Sequence, residues 1–165
     1  MHTLQLTTTA FTPGDDIPRE LTCDGADTSP ALSWSAPPER TQSLALIVED
    51  PDAPHRTWVQ WVLYDLPPTE RELPERIPPK GQLPSGARQG RNDFGTIGYG
   101  GPCPPPGPAH RYYFKLYALD KRLDLPAGAT RTQLDRAMRG HIVAEADVMG
   151  RYRRRAGGGD GADSE

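Results

Sequence analysis

Leu44-Ala45-Leu46-Ile47-Val48, followed by Glu49-Asp50, decides the fold. A short unbroken apolar run of this kind reads as a central strand covered on both faces. The segments around it read the same way. Residues 58–66 (Trp-Val-Gln-Trp-Val-Leu-Tyr-Asp-Leu) are aromatic and β-branched and stop at Pro67-Pro68. Residues 110–119 (His-Arg-Tyr-Tyr-Phe-Lys-Leu-Tyr-Ala-Leu) form a further strand. Shorter strands are expected over 3–9 and 31–35, with turns at Pro13-Gly14 and Asp24-Gly25. Ile142, Ala144, Ala146 and Val148 alternate with other residues and predict a last strand. Residues 130–139 predict the one clear helix: Thr130 and Gln133 make a capping box, Leu134, Ala137 and Met138 share a face, and Gly140 closes it. The sum is a mainly β protein, a two-sheet antiparallel β-sandwich with one or two peripheral helices.

The chain of 165 residues suits one domain, placed at 1–155. Its 17 glycines and 19 prolines, about a fifth of the chain, exclude a helix bundle or coiled coil. Residues 156–165 contain Asp160, Asp163 and Glu165 and no base, and are expected to be a flexible acidic tail. The net charge is −3, all of it from that tail, and a neutral body argues against broad capture of nucleic acid or a membrane surface. The basic run Arg151-Tyr152-Arg153-Arg154-Arg155 reads as a solvated chain end. No stretch approaches the apolar length of a transmembrane segment, and residues 1–10 lack the features of a secretory signal, so a cytoplasmic protein is expected. Cys23 and Cys103 are too few for a disulfide scaffold. Free thiols are the default, with one disulfide left open.

Strand alternation locates the polar residues. Asp50 lies in phase with Val48, Leu46 and Leu44, and closes one core row. His110 and Tyr112 open another, ahead of Phe114, Leu116 and Ala118. If these strands are antiparallel neighbours, the two ends meet at one rim of the sandwich. In the 58–66 strand, Trp58, Gln60, Val62 and Tyr64 are expected to share a face, with Gln60 its polar member. A carboxylate, an imidazole, a phenol and an amide backed by an indole would then converge at that rim, the usual form of a small-ligand site.

The long Pro/Gly-rich stretch 67–109 passes through Gly98-Tyr99-Gly100-Gly101-Pro102-Cys103-Pro104-Pro105-Pro106-Gly107. Its glycines permit close backbone approach, so successive N–H groups can form an anion-binding nest, and its prolines stiffen the wall.

These residues resemble a known family. Asp50-Pro51-Asp52-Ala53-Pro54 is similar to the first signature of the phosphatidylethanolamine-binding proteins, also called the Raf kinase inhibitor protein family. Gly98-Tyr99-Gly100-Gly101-Pro102 with His110-Arg111-Tyr112 resembles the second. Thr22-Cys23-Asp24-Gly25, Ser29-Pro30, Leu32-Ser33-Trp34 and Asn92-Asp93-Phe94-Gly95 resemble the bacterial and archaeal branch. The resemblance spans about residues 3–152. It implies a β-sandwich with a pocket for phosphate-like head groups, and by matching motif the pocket residues Asp50, Trp58, Gly100, Pro102, His110 and Tyr112. The family usually has His where this chain has Gln60, which offers an amide donor but cannot become cationic near neutral pH. Weaker or altered anion binding is therefore expected here.

The leading functional reading is a non-catalytic, Raf kinase inhibitor-like binding module for a small phosphorylated or anionic ligand, with no cofactor. The resemblance implies a kinase or protease as its protein target, and a protease-inhibitor module is one alternative. Another is a hydrolase using Cys103 and His110, disfavoured because the prolines around Cys103 supply no N–H for an oxyanion hole. A metal site from Asp50, Asp52 and His55 is less favoured than turn chemistry. Trp34 and Trp61 read as core, and His2, His55 and His141 as surface or turn residues. Exposed apolar faces leave room for a homodimer.

Overall fold

A computed structural model describes residues 4–155 and Glu165. In chain order the elements are β1 (Leu6–Thr7), a 3-10 turn (Arg19–Leu21), β2 (Leu32–Trp34), β3 (Ser43–Asp50), β4 (Trp58–Leu66), β5 (Glu72–Leu73), β6 (Arg88–Gln89), β7 (His110–Leu119), α1 (Arg131–Met138) and β8 (Ile142–Tyr152). They form a three-stranded sheet, β1-β2-β5, and a five-stranded sheet, β6-β4-β3-β7-β8. The named strand pairs are all antiparallel.

The apolar run of β3 lies at the centre of the larger sheet, and every residue of the strand is buried. One face, with Leu44, Leu46 and Val48, joins Trp61, Leu63, Phe114 and Leu116 against the smaller sheet, where Leu6, Leu32 and Trp34 complete the core. The other face carries Ala45 and Ile47 and packs with Val62, Tyr64, Leu134 and Met138 beneath α1. Continuous apolarity in β3 thus reflects two separate cores, one on each side of a single strand. Thr130 caps α1 through the expected capping box with Gln133. Arg131 ties the helix to the sheet by an ion pair from Nη1 to Glu49 Oε1 at 2.9 Å.

Several expectations need correction. The first strand is limited to Leu6–Thr7. The 67–109 stretch contains two short strands, β5 and β6, whose two-residue lengths leave too little alternation to read. The basic run is solvated only in part: Arg151, Arg153 and Arg155 are exposed, but Arg151 and Tyr152 belong to β8, and Arg154 is 4% exposed, with Nε 3.3 Å from Asp24 Oδ1. Trp58, Gln60, Val62 and Tyr64 do not share a face. Val48 pairs with Trp61 while Glu49 pairs with Val59, so Gln60 is the extra residue of a β-bulge. The bulge reverses the phase of β4, placing Trp61 and Leu63 in the inter-sheet core and Val59, Val62 and Tyr64 under α1. The tail expected at 156–165 falls, apart from Glu165, outside the described residues.

Candidate functional site

Antiparallel pairing of β3 with β7 brings the end of one strand beside the start of the other. Asp50 is fully buried there, and its Oδ2 lies 2.6 Å from His110 Nδ1. The Tyr112 ring stacks beside the imidazole, with centroids 6.5 Å apart. Asp50 Oδ1 also accepts the Asp52 backbone N–H at 2.8 Å, the local turn that an Asp-Pro-Asp sequence favours. Asp52 then grips the beginning of β7, accepting from Arg111 N, Nε and Nη2 at 2.9, 2.9 and 2.8 Å. The Arg111 guanidinium holds the Asp52 carboxyl down at about 2. The paired aspartates therefore divide the labour: Asp50 orients the imidazole and Asp52 fixes the strand that carries it.

The 98–106 loop forms the facing wall and is held from three directions. A disulfide joins Cys103 to Cys23, and the Cys23 N–H donates to Pro102 O at 3.1 Å. Gln60 Nε2 donates to Gly100 O and Gly101 O at 2.8 and 3.0 Å. Asp27 Oδ1 accepts the Gly101 N–H at 2.7 Å. The bulge at Gln60 thus turns the amide towards the loop, which it pins by two carbonyls. Trp58, opposite Asp50 on β4, packs edge-on against Phe94, which also crowds Gly100.

The nest expected of the glycines is absent from this arrangement. The Gly98, Gly100 and Gly101 amides donate to Gly90 O, Gln60 O and Asp27 Oδ1. Gly100 and Gly101 instead allow close packing, since a Cβ on the first would strike Phe94 and on the second the Leu21 carbonyl. The loop amide aimed into the site is that of Cys103.

That amide donates at 2.6 Å to Oε2 of Glu165, which also accepts the Tyr112 hydroxyl at 2.6 Å. The Glu165 N–H donates to Cys103 O at 2.9 Å. One ligating atom each from Asp50, His110 and Glu165 lie within 4.8 Å of one another. Burial first, then the hydrogen bond with Asp50, pushes the Glu165 carboxyl up to about 9. Near neutrality it keeps its proton. Burial and the two carboxyls push the Tyr112 phenol far upward, so it remains an O–H donor.

Asp50, His110 and Tyr112 therefore meet as the sequence predicts, Gly100 and Gln60 support the wall, and Pro102 precedes the amide that faces the site. Two other readings are overturned. Cys103 is disulfide-bonded rather than free, so it has no thiol for hydrolysis. Asp52 is committed to Arg111, and the cluster of three potential metal ligands found among the described residues is Asp50, His110 and Glu165, without His55. Sequence reasoning missed Asp27, which follows the 23–26 turn with a left-handed φ of 59°, and Glu165, which carries no local pattern.

Comparison with known proteins finds relatives over most of the chain. The profile of the phosphatidylethanolamine-binding protein family matches residues 7–153. A UPF0098 protein of Methanothermobacter thermautotrophicus is 50% identical over 92% of this chain and 99% of its own length. A UPF0098 protein of Aquifex aeolicus is 49% identical over 88% and 85%. Among solved structures, Escherichia coli YbcL, described as a member of the mammalian family, superimposes with a TM-score of 0.87 at 34% identity, covering 93% of this chain and all of its own. A putative homologue from Chlamydia trachomatis gives 0.83 at 44% identity, covering 92% and 98%. No helix among the described residues is long and apolar enough to cross a membrane. The chain belongs to the phosphatidylethanolamine-binding protein family.

Proposed function

We propose that the protein is a non-catalytic binding protein whose rim pocket takes a small oxyanion, a phosphate or phosphorylated head group. The observation that carries this reading is the convergence of the Tyr112 hydroxyl and the Cys103 N–H on a single oxygen beside Asp50 and His110. Two donors on one oxygen suit an oxyanion, and Asp50 opposite them suits a group that also bears a proton. A monoprotonated phosphate has both features. With Cys103 in a disulfide, the site offers no thiol nucleophile, which favours binding over covalent chemistry.

The test is calorimetric titration with inorganic phosphate and phosphoethanolamine. In a Glu165→Ala background, which leaves both donors free of the Glu165 carboxyl, Tyr112→Phe removes one of them and should weaken binding roughly ten- to a hundredfold, the usual cost of a hydrogen bond to a charged group. Tyr113→Phe in the same background is the control, because Tyr113 points to the other face and hydrogen-bonds Arg111. Equal affinities in the two variants, or no binding to the wild type, would reject the reading.

A further inference from the structure

Glu165 enters a site that the rest of the chain builds. Its contacts are of two kinds. Its backbone N–H meets Cys103 O while its Oε2 meets Cys103 N–H, a paired contact that fixes position. Its carboxyl accepts from Tyr112 and lies beside Asp50 and His110, with one ligating atom of each within 4.8 Å of the others. These are the groups that the proposed oxyanion would use.

The topology explains how the residue reaches them. The final register of β8 places Tyr152 opposite His110, so the chain leaves the sheet beside the pocket. Ten further residues lead from Arg155 to Glu165, a length of chain that can reach about 33 Å when extended. A group tethered over so short a length acts at an effective concentration on the order of millimolar, so even a weak carboxyl contact is populated.

We propose that Glu165 is an internal ligand of the oxyanion pocket, and that a phosphate-bearing ligand binds only by displacing it. The inference rests on the reading of the pocket as an oxyanion site. Displacement follows from hydrogen-bond capacity: Tyr112 has one O–H and Cys103 one N–H, and neither can serve two oxygens at full strength. The body of the protein supplies the specificity, while Glu165 sets the threshold concentration at which an external ligand gains entry.

The experiment uses the full chain as wild type, Glu165→Ala and Glu165→Gln. Two readouts are taken: the Cys103 backbone amide resonance by 1H–15N NMR, and the affinity for inorganic phosphate by calorimetry. Glu165→Ala should shift the Cys103 amide and tighten phosphate binding about tenfold, as expected if the pocket is open one-tenth of the time in the wild type. Glu165→Gln should behave as wild type, because its carboxamide can donate to Asp50 and accept from Tyr112 and Cys103. An unmoved Cys103 amide in Glu165→Ala overturns the docking, whatever phosphate does. A moved amide with unchanged phosphate affinity overturns the competition. If the amide moves but neither protein binds phosphate, the oxyanion reading fails and takes the competition with it.

Discussion

Reduction of the Cys23–Cys103 disulfide should cost stability on a scale that can be worked from the chain. The bridge closes a loop of 80 residues. In the chain-entropy account, releasing a loop of that length frees the unfolded ensemble by about 4.5 kcal/mol at 25 °C. For a domain of this size each kcal/mol moves Tm by about 2–4 °C, so a fall of roughly 9–18 °C is expected. The native fold should survive at room temperature, because the Gln60 amide, the Asp27 carboxylate and the Cys23 N–H still hold the 98–106 loop. The assay is a thermal melt by circular dichroism with and without a phosphine reductant, thiol titration confirming that reduction is complete. A fall of less than about 3 °C, with both thiols free, would refute the entropic argument and show that this loop is already constrained in the unfolded chain.

The remaining predictions concern the pocket and its supports. Glu165, faced by Asp50 from β3, His110 and Tyr112 from β7 and Tyr99 from the loop, has a docked pKa raised from 4.5 to about 9. Its docking is therefore fully present below 4.5, weakens about tenfold per pH unit above it, and is lost as pH rises through 9. The Cys103 amide should titrate in that window in the wild type and stay flat in Glu165→Gln; matching curves would refute the assignment. Asp52→Asn should cost no more than about 1 kcal/mol, because the Arg111 pair is solvent-exposed. The wild-type contribution, from a carboxyl depressed from 3.8 to about 2, should disappear as pH falls through that range, which paired urea melts of the two proteins would reveal. Gly101→Ala should destabilise by about 1–3 kcal/mol in urea melts, since a Cβ would meet the Leu21 carbonyl, Asp27 Oδ1 and Thr22 Cα. A neutral outcome would show that the 3-10 turn yields readily.

The larger strands were legible because their apolar residues answer directly to burial. Trp58–Leu66 and His110–Leu119 agree with their expected limits, and α1 begins where Thr130 and Gln133 signal it. Placement of Asp50 against His110 followed from alternation and antiparallel pairing alone. Alternation failed at Gln60, because a bulge is a property of two strands in register and leaves no mark in one of them. The glycines misled for a related reason: their freedom permits a nest and close packing alike, and only the positions of Phe94, Leu21 and Asp27 decide between them. Glu165 was invisible because its partners are Asp50, Cys103 and Tyr112, far away in sequence and without any periodic relation to it.

The bulge at Gln60 gives the first half of β4 two reading frames. Downstream, Trp61 and Leu63 keep step with the inter-sheet interior; upstream, Trp58 keeps step with the rim while Val59 stays beneath α1. Substitutions on the upstream side can therefore retune what the mouth recognises while the interior goes on packing as before. Deleting Gln60 would merge the frames, so that every change of taste at the mouth would also be felt in the foundations.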